Sequence, residues 1–221
     1  MAAHMKLAIF DIDQTFVHGD SFKSFCWFAM GARGVSLRWL WRFAFHTLIH
    51  PTALRDGGLL KASWLRICLM NTDKATLATL VKNFVDKVLL KRAHSAAVNR
   101  LRWHKNQNHT IIFLSASPDL YLNDLGSRFG VDRLICTRFL GQDGDFTGEM
   151  FSANCKGDEK RRRLLEAYPA TEIAWDRSYG YGNAVQDVSF LEILGNAVAV
   201  NPDANLRKIA VQRNWAIEAW S

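Results

Sequence analysis

The sequence predicts an α/β fold: a three-layer core with a parallel sheet between helices, and an all-helical segment inserted after the first strand. Three observations lead there. Short apolar runs ending in polar residues recur along the chain, helix-length patterns lie between them, and residues 20 to about 91 hold helical stretches without a convincing strand. Strands that alternate with helices pair in parallel, because each connection must cross one face of the sheet to return.

The first strand is read at Lys6–Phe10, an apolar run halted by Asp11. Ahead of it, "MAAHM" is set aside with Met5 taken as the natural start, and no charged segment leads into a long apolar one, so no signal peptide is read. Next come helical stretches broken at "GARG", "HPTALRDGG" and "NTD", with Asp20 or Ser21 placed to cap the first helix and Thr72 the last. We read 20–91 as a helical cap domain inserted into a discontinuous core of 1–19 and 92–221. "TIIFLSAS" (110–117) repeats the strand grammar, with Ser117 as N-cap and Pro118 as first residue of a helix over 118–129. "RLICT" (133–137) is a strand, and "LGQDGDFTGEMF" is a hairpin-like insertion at the sheet's edge. A helix over 158–168, a strand within 172–181, a helix over 184–194, a strand at 197–200 and a helix over 203–213 complete the series.

Composition fits one sizeable core or a core with a smaller insertion. Of 221 residues 49% are hydrophobic and 22% charged, which excludes a disordered chain. The four cysteines are widely spaced, with no C-x-x-C pair, so neither a zinc knuckle nor a disulfide framework is suggested; reduced thiols in a cytoplasmic chain are expected. The net charge of +7 favours anionic partners, but the basic residues are dispersed without a binding motif, so nucleic acid is not an expected partner.

In an open parallel sheet, ligands bind beyond the carboxyl ends of the strands. Asp11 and Asp13 follow the first strand, Ser115 ends the second, and Asn183 and Asp187 follow another, so all five converge on one rim. Two aspartates this close repel unless a cation or shared proton relieves them, and a hard divalent ion with oxygen ligands suits the pair. In "CKGDEKRRRLLEAY" a basic helix carries Lys160, with Lys156 a rival and most of the run a solvated surface.

The set "DIDQT", "FLSAS", "GDEK" and "YGNAVQD", in this order and spacing, resembles the four motifs of the haloacid dehalogenase-like hydrolases, in the subgroup that includes phosphoserine phosphatase. The resemblance implies a Rossmann-like core and a Mg²⁺-dependent phosphatase acting through an aspartyl phosphate. Asp11 would be the nucleophile, Asp13 the general acid and base, and Lys160 the third catalytic residue, chosen over Lys156 by the family's spacing. Ser115 and Ala116 would bind the phosphoryl group, and Asp11, Asp13, Asn183 and Asp187 the metal. Where many members have a second Asp, this chain has Asn183, a neutral ligand from which weaker metal binding is expected. Asp20 stands about where these phosphatases hold the substrate's ammonium, though a helix N-cap is an equal reading of it. A catalytically weak or silent phosphate-binding, membrane-associated adaptor is the alternative function.

The segment "VSLRWLWRFAFHTLIHPTAL" places Arg38, Arg42 and His46 four residues apart, one basic stripe on a helix rich in aromatics. It is too short and basic to span a bilayer and suits the membrane interface, with Arg38 and Arg42 as candidate substrate-binding residues. It also loosely resembles the apolar cap of bacterial phosphatidylglycerophosphate phosphatases of the same superfamily. The substrate is thus left as phosphoserine-like or lipid-linked, and the location as cytoplasmic with a peripheral contact at the inner face of the membrane. A helix buried in the cap bundle or in a dimer seam, with the basic stripe facing solvent or the active site, is the competing reading of this stretch.

Overall fold

The computed structural model describes residues 4–32, 34, 41, 57–69, 71–141, 143–169 and 171–221. Strand β1 (Leu7–Phe10) leads into helices α1 (Ser21–Ala32), α2 (Gly57–Leu69) and α3 (Lys74–Phe84), the last running through a π turn (Val85–Leu89) to Arg92. Then follow α4 (Ser95–Asn106), β2 (Thr110–Pro118), α5 (Asp119–Phe129), β3 (Arg133–Thr137) and α6 (Asp158–Ala167). The chain closes with β4 (Tyr179–Gly182), α7 (Val188–Leu191), β5 (Asn196–Val200), α8 (Ala204–Gln212) and β6 (Ala216–Glu218).

All six strands pair in parallel, in the order β3-β2-β1-β4-β5-β6. The order reverses between β1 and β4, and the crevice at such a switch point is where open α/β sheets bind ligands. Period-two alternation builds the layers. On β1 and β2, Ala8, Phe10, Ile111 and Phe113 face a core shared with α4, α5 and the inserted helices, whereas Leu7, Ile9, Ile112 and Leu114 face α6, α7 and α8. Phe10 stacks on Tyr181 of β4 at 4.7 Å between ring centroids, pinning the two strands that flank the switch point.

Local expectations met several corrections. Asp73, not Thr72, caps α3: its side chain accepts from the Thr76 backbone N–H. Ser117 caps no helix, because β2 runs on to Pro118 and α5 starts at Asp119. The strand expected within 172–181 is confined to β4, after a 3₁₀ turn at Trp175–Arg177. The helix expected over 184–194 is a 3₁₀ turn, Val185–Asp187, followed by the single turn of α7. A further edge strand, β6, lies beyond the elements expected from sequence; it is only three residues long and not fully buried. After β3, an antiparallel bridge joins Leu140 to Phe146 at the sheet's edge, and the four cysteines are buried and form no disulfide. No helix among the described residues is long and apolar enough to cross a membrane. The aromatic stretch 35–54, Trp41 apart, lies outside the described residues, and with it Arg38, Arg42 and His46.

Candidate active site

β1 ends at Phe10, and the next residue, Asp11, donates its backbone N–H to the Tyr181 carbonyl of β4 at 2.9 Å. Its carboxylate is buried. Oδ1 accepts from Lys160 Nζ at 2.6 Å and Oδ2 from the Thr15 hydroxyl at 3.0 Å. Lys160 Nζ also donates to Asp187 Oδ1 at 2.6 Å, so one ammonium bridges two acids. Lys160 lies in the first turn of α6, where side chains lean back toward the helix N-terminus and so toward the strand ends. Gly157 opens that helix at φ +59°, a backbone state that suits glycine. Lys156 is exposed.

Asp187 holds the turn after β4. Its Oδ2 accepts from the backbone N–H groups of Asn183 and Ala184 at 3.0 and 3.1 Å. A Cβ on Gly182 would come within 2.6 Å of the Asp187 Cβ, so glycine there is what lets the acid fold back against the strand. Asp187 thereby fixes the loop and Lys160 together.

Asp13 is held from two sides, accepting from the Ser21 backbone N–H at 2.6 Å and from the Ser117 hydroxyl at 2.5 Å. Ser117 reaches it because β2 bulges: Ser115 pairs with Cys136 and Pro118 with Thr137, leaving Ala116 and Ser117 out of register. Within the bulge the Ser117 N–H donates to Ser115 Oγ at 3.0 Å. Ser115 is fully buried, and its hydroxyl proton is left to point elsewhere.

Burial pushes Asp11 up to about 7, against the opposing pull of Lys160 and with help from Asp187 and Asp13. Burial also raises Asp13, despite its hydrogen bonds from Ser117 and Ser21. Lys160 loses to burial but gains more from Asp11 and Asp187, and ends above the ordinary lysine value. The nucleophile candidate is therefore not simply an ionised carboxylate at neutral pH, and one further positive charge would complete its environment.

The oxygens available for a cation fit that need. Asp11 Oδ2 and Asn183 Oδ1 approach the same Thr15 hydroxyl, at 3.0 and 3.5 Å, so a carboxylate and an amide oxygen from two strand ends converge. Both are hard donors of the kind a small divalent ion takes. Among the described residues no three His, Cys, Asp or Glu side chains are grouped to hold a metal, so such an ion would rely on Asn183, backbone and water as well.

Of the residues singled out in sequence, Asp11, Lys160, Asp187 and Asn183 are joined by contacts at one rim, with Ser115 and Asp13 linked through Ser117. Asp20 caps α1 through the Lys23 N–H at 2.9 Å and pairs with the Lys23 ammonium at 3.6 Å. Ala116 offers its carbonyl to Lys61 and to Thr137. Thr15, Ser117 and Lys61 join the polar set, as do the buried Ser21 and Tyr121 hydroxyls, which lie 3.1 Å apart with Ser21 donating to Ser117 at 3.2 Å; among Thr15, Ser117 and Lys61, only Thr15 has a local signal, as the threonine of "DIDQT".

Behind the rim, the Tyr181 hydroxyl contacts His104 Nε2 at 2.8 Å and accepts from Arg100 at 3.3 Å, and the Nδ1 atoms of His104 and His109 lie 2.8 Å apart. Burial, with His109 and Arg100, pushes His104 down to about 3. Two neutral imidazoles thus support β4 from below.

The profile of the haloacid dehalogenase-like hydrolases matches residues 8–192. A probable phosphatase of Mycobacterium tuberculosis is 26% identical over 149 residues, 67% of this chain and 52% of that protein. The chain thus spans about half the length of the first relatives it matches. A phosphoserine phosphatase of the same organism is 24% identical over 220 residues, 95% of this chain and 69% of that one. In fold, the chain is similar to a Bordetella pertussis protein of unknown function, with a TM-score of 0.83, 24% identity and coverage of 97% and 98% of the two chains.

Proposed function

The chain belongs to the haloacid dehalogenase-like hydrolases, and from that membership and the geometry around Asp11 we propose that it hydrolyses phosphate monoesters through a phosphoryl group carried on Asp11. The observation that carries this reading is the clasp at the switch point: a buried carboxylate at the end of β1, gripped by the buried Lys160 ammonium and steadied by Thr15. Asp11 attacks phosphorus, the bond to the leaving oxygen breaks, and Asp13 gives that oxygen its proton. Asp13 then takes a proton from the water that releases phosphate from Asp11. Its raised pKa supports a proton-carrying role.

Lys160 orients Asp11 and offsets the charge of an incoming phosphate. Ser115, already accepting from Ser117, has its O–H free to donate to a phosphoryl oxygen. A magnesium ion, when bound, supplies positive charge that eases the approach of two anions. Asp11, Asn183 and the Asp13 carbonyl would hold it, with Asp187 positioning Asn183.

The inserted helices act, in this reading, as the cap over the strand ends. The substrate class we infer is the phosphate monoester of a small metabolite, supported by the alignment with a phosphoserine phosphatase over 95% of the chain. Asp20 adds no support for an ammonium subsite, being committed to Lys23 and the start of α1. Hydrolysis of p-nitrophenyl phosphate with magnesium, lost in Asp11→Asn, is the expected result; wild-type turnover that survives Asp11→Asn would overturn it.

A further inference from the structure

We propose that Lys61, on the inserted helix α2, is a positioning residue that holds the Ser115–Ser117 bulge in its working shape; this rests on the phosphatase reading for its kinetic consequence. The bulge creates the need. With Ala116 and Ser117 out of register, the Ala116 carbonyl loses the ladder partner that a regular strand would give it. Lys61 Nζ donates to that carbonyl at 2.6 Å and to Asn154 Oδ1 at 3.2 Å. Thr137, fully buried, shares its single hydroxyl proton between the same two oxygens, 2.8 Å from the Ala116 carbonyl and 3.2 Å from Asn154 Oδ1, and its own hydroxyl oxygen accepts from the Cys155 N–H at 3.0 Å. Four residues from α2, β2, β3 and the loop before α6 thus close a polar ring around one carbonyl.

That carbonyl belongs to the peptide unit whose N–H, on Ser117, donates to Ser115 Oγ, and the Ser117 hydroxyl in turn holds Asp13. Fixing the carbonyl fixes the plane of the peptide, hence the lone pair that Ser115 uses and the direction from which Ser117 meets Asp13. The α2 helix therefore reaches the proposed proton donor through one ammonium and one peptide. Among the described residues Lys61 forms no ion pair; both its bonds go to neutral oxygens, so it acts here as a directional donor and not as half of a salt bridge. Its charged neighbours are the acids Asp13 and Asp20 and the lysines Lys156 and Lys160, and burial pulls its ammonium down to about 8.

Lys61→Met keeps the apolar stem and removes the donor, and Lys61→Arg restores a donor. Two measurements on the same proteins decide the matter. In hydrogen exchange, the amides of 115–117 are expected to exchange about tenfold faster in Lys61→Met, as follows from losing a charged hydrogen bond, and to slow again in Lys61→Arg. In turnover of p-nitrophenyl phosphate, kcat is expected to fall roughly tenfold to a hundredfold with KM nearly unchanged, again with partial rescue by Arg. Unchanged exchange overturns the proposal whether or not the protein turns over substrate. Unchanged kcat, with KM raised only for substrates bearing a second anionic group, also overturns it, since Lys61 would then bind substrate and not position the bulge. A wild type inert toward every monoester would sink the phosphatase reading alone, and exchange would still judge the hold on Ala116.

Discussion

Replacing Lys160 with Met perturbs the site at its electrostatic centre. Lys160 is 3% exposed, and its ammonium stands 2.6 Å from both Asp11 and Asp187. Removing one member of a buried ion pair costs about 3–5 kcal/mol, because the partner is left charged and unsolvated. Here two acids are left, and Asp11 already sits at about 7 with the ammonium in place. Without it Asp11 climbs further. The sign of the pH effect follows: folded Asp11 keeps a proton that the unfolded chain, at 3.8, has released, so each unit by which its pKa rises lowers stability by about 1.4 kcal/mol once the pH exceeds both values. In the magnesium-free wild type this loss runs from about pH 4 to about pH 7 and then stops. In Lys160→Met it continues above about pH 7, so the gap between the two proteins should widen by roughly 1.4 kcal/mol per pH unit there. Urea unfolding at about pH 6 and about pH 8 measures the gap directly. A penalty under about 1 kcal/mol, or one that ignores pH, would refute the clasp as the source of the Asp11 environment.

Asp13→Asn removes the proposed proton carrier and should lower kcat by roughly 10²–10⁴-fold; retention of a tenth or more of the activity would exclude Asp13 from proton transfer. Asn183→Asp restores a charged oxygen beside Asp11, and magnesium titrated by calorimetry should bind about tenfold tighter or better. No gain would remove Asn183 from the cation's surroundings. Burial, His109 and Arg100 hold His104 at about 3, below its unfolded 6.5. The folded state therefore binds fewer protons there, and this stability, present above 6.5, is lost as the pH falls toward about 3. His104→Gln should flatten that acid limb of the urea midpoint; an unaltered limb would count against a neutral imidazole pair.

The parts of the site that could be read from sequence are those with a local cause. "LAIFDIDQT" announces itself because a fully buried strand must be apolar and its end must not be, and the polar ends of β1 and β4 meet wherever parallel strands adjoin. Lys160 was separable from Lys156 only by spacing; burial on the first turn of α6 is what distinguishes them in three dimensions. Ser-Pro-Asp is good helix-start chemistry and so marks Ser117 as a cap, while the bulge that carries Ser117 to Asp13 depends on how β2 registers with β3. Lys61 gave no signal at all, since its partner lies 55 residues away and nothing in "GGLLKASWL" marks one polar residue as inward. Thr72 and Asp73 are both capping residues, and a one-residue choice between them is settled by backbone geometry that composition does not encode.

The most direct test of the phosphoryl-carrying role is chemical. The protein is mixed with p-nitrophenyl phosphate and magnesium, quenched in acid during turnover, digested, and read by mass spectrometry for the peptide containing "DIDQT". A phosphoryl group on Asp11, absent from Asp11→Asn and gone once substrate is exhausted, is the expected result. Steady turnover with Asp11 never modified, or a phosphoryl group found on any other side chain, would contradict it.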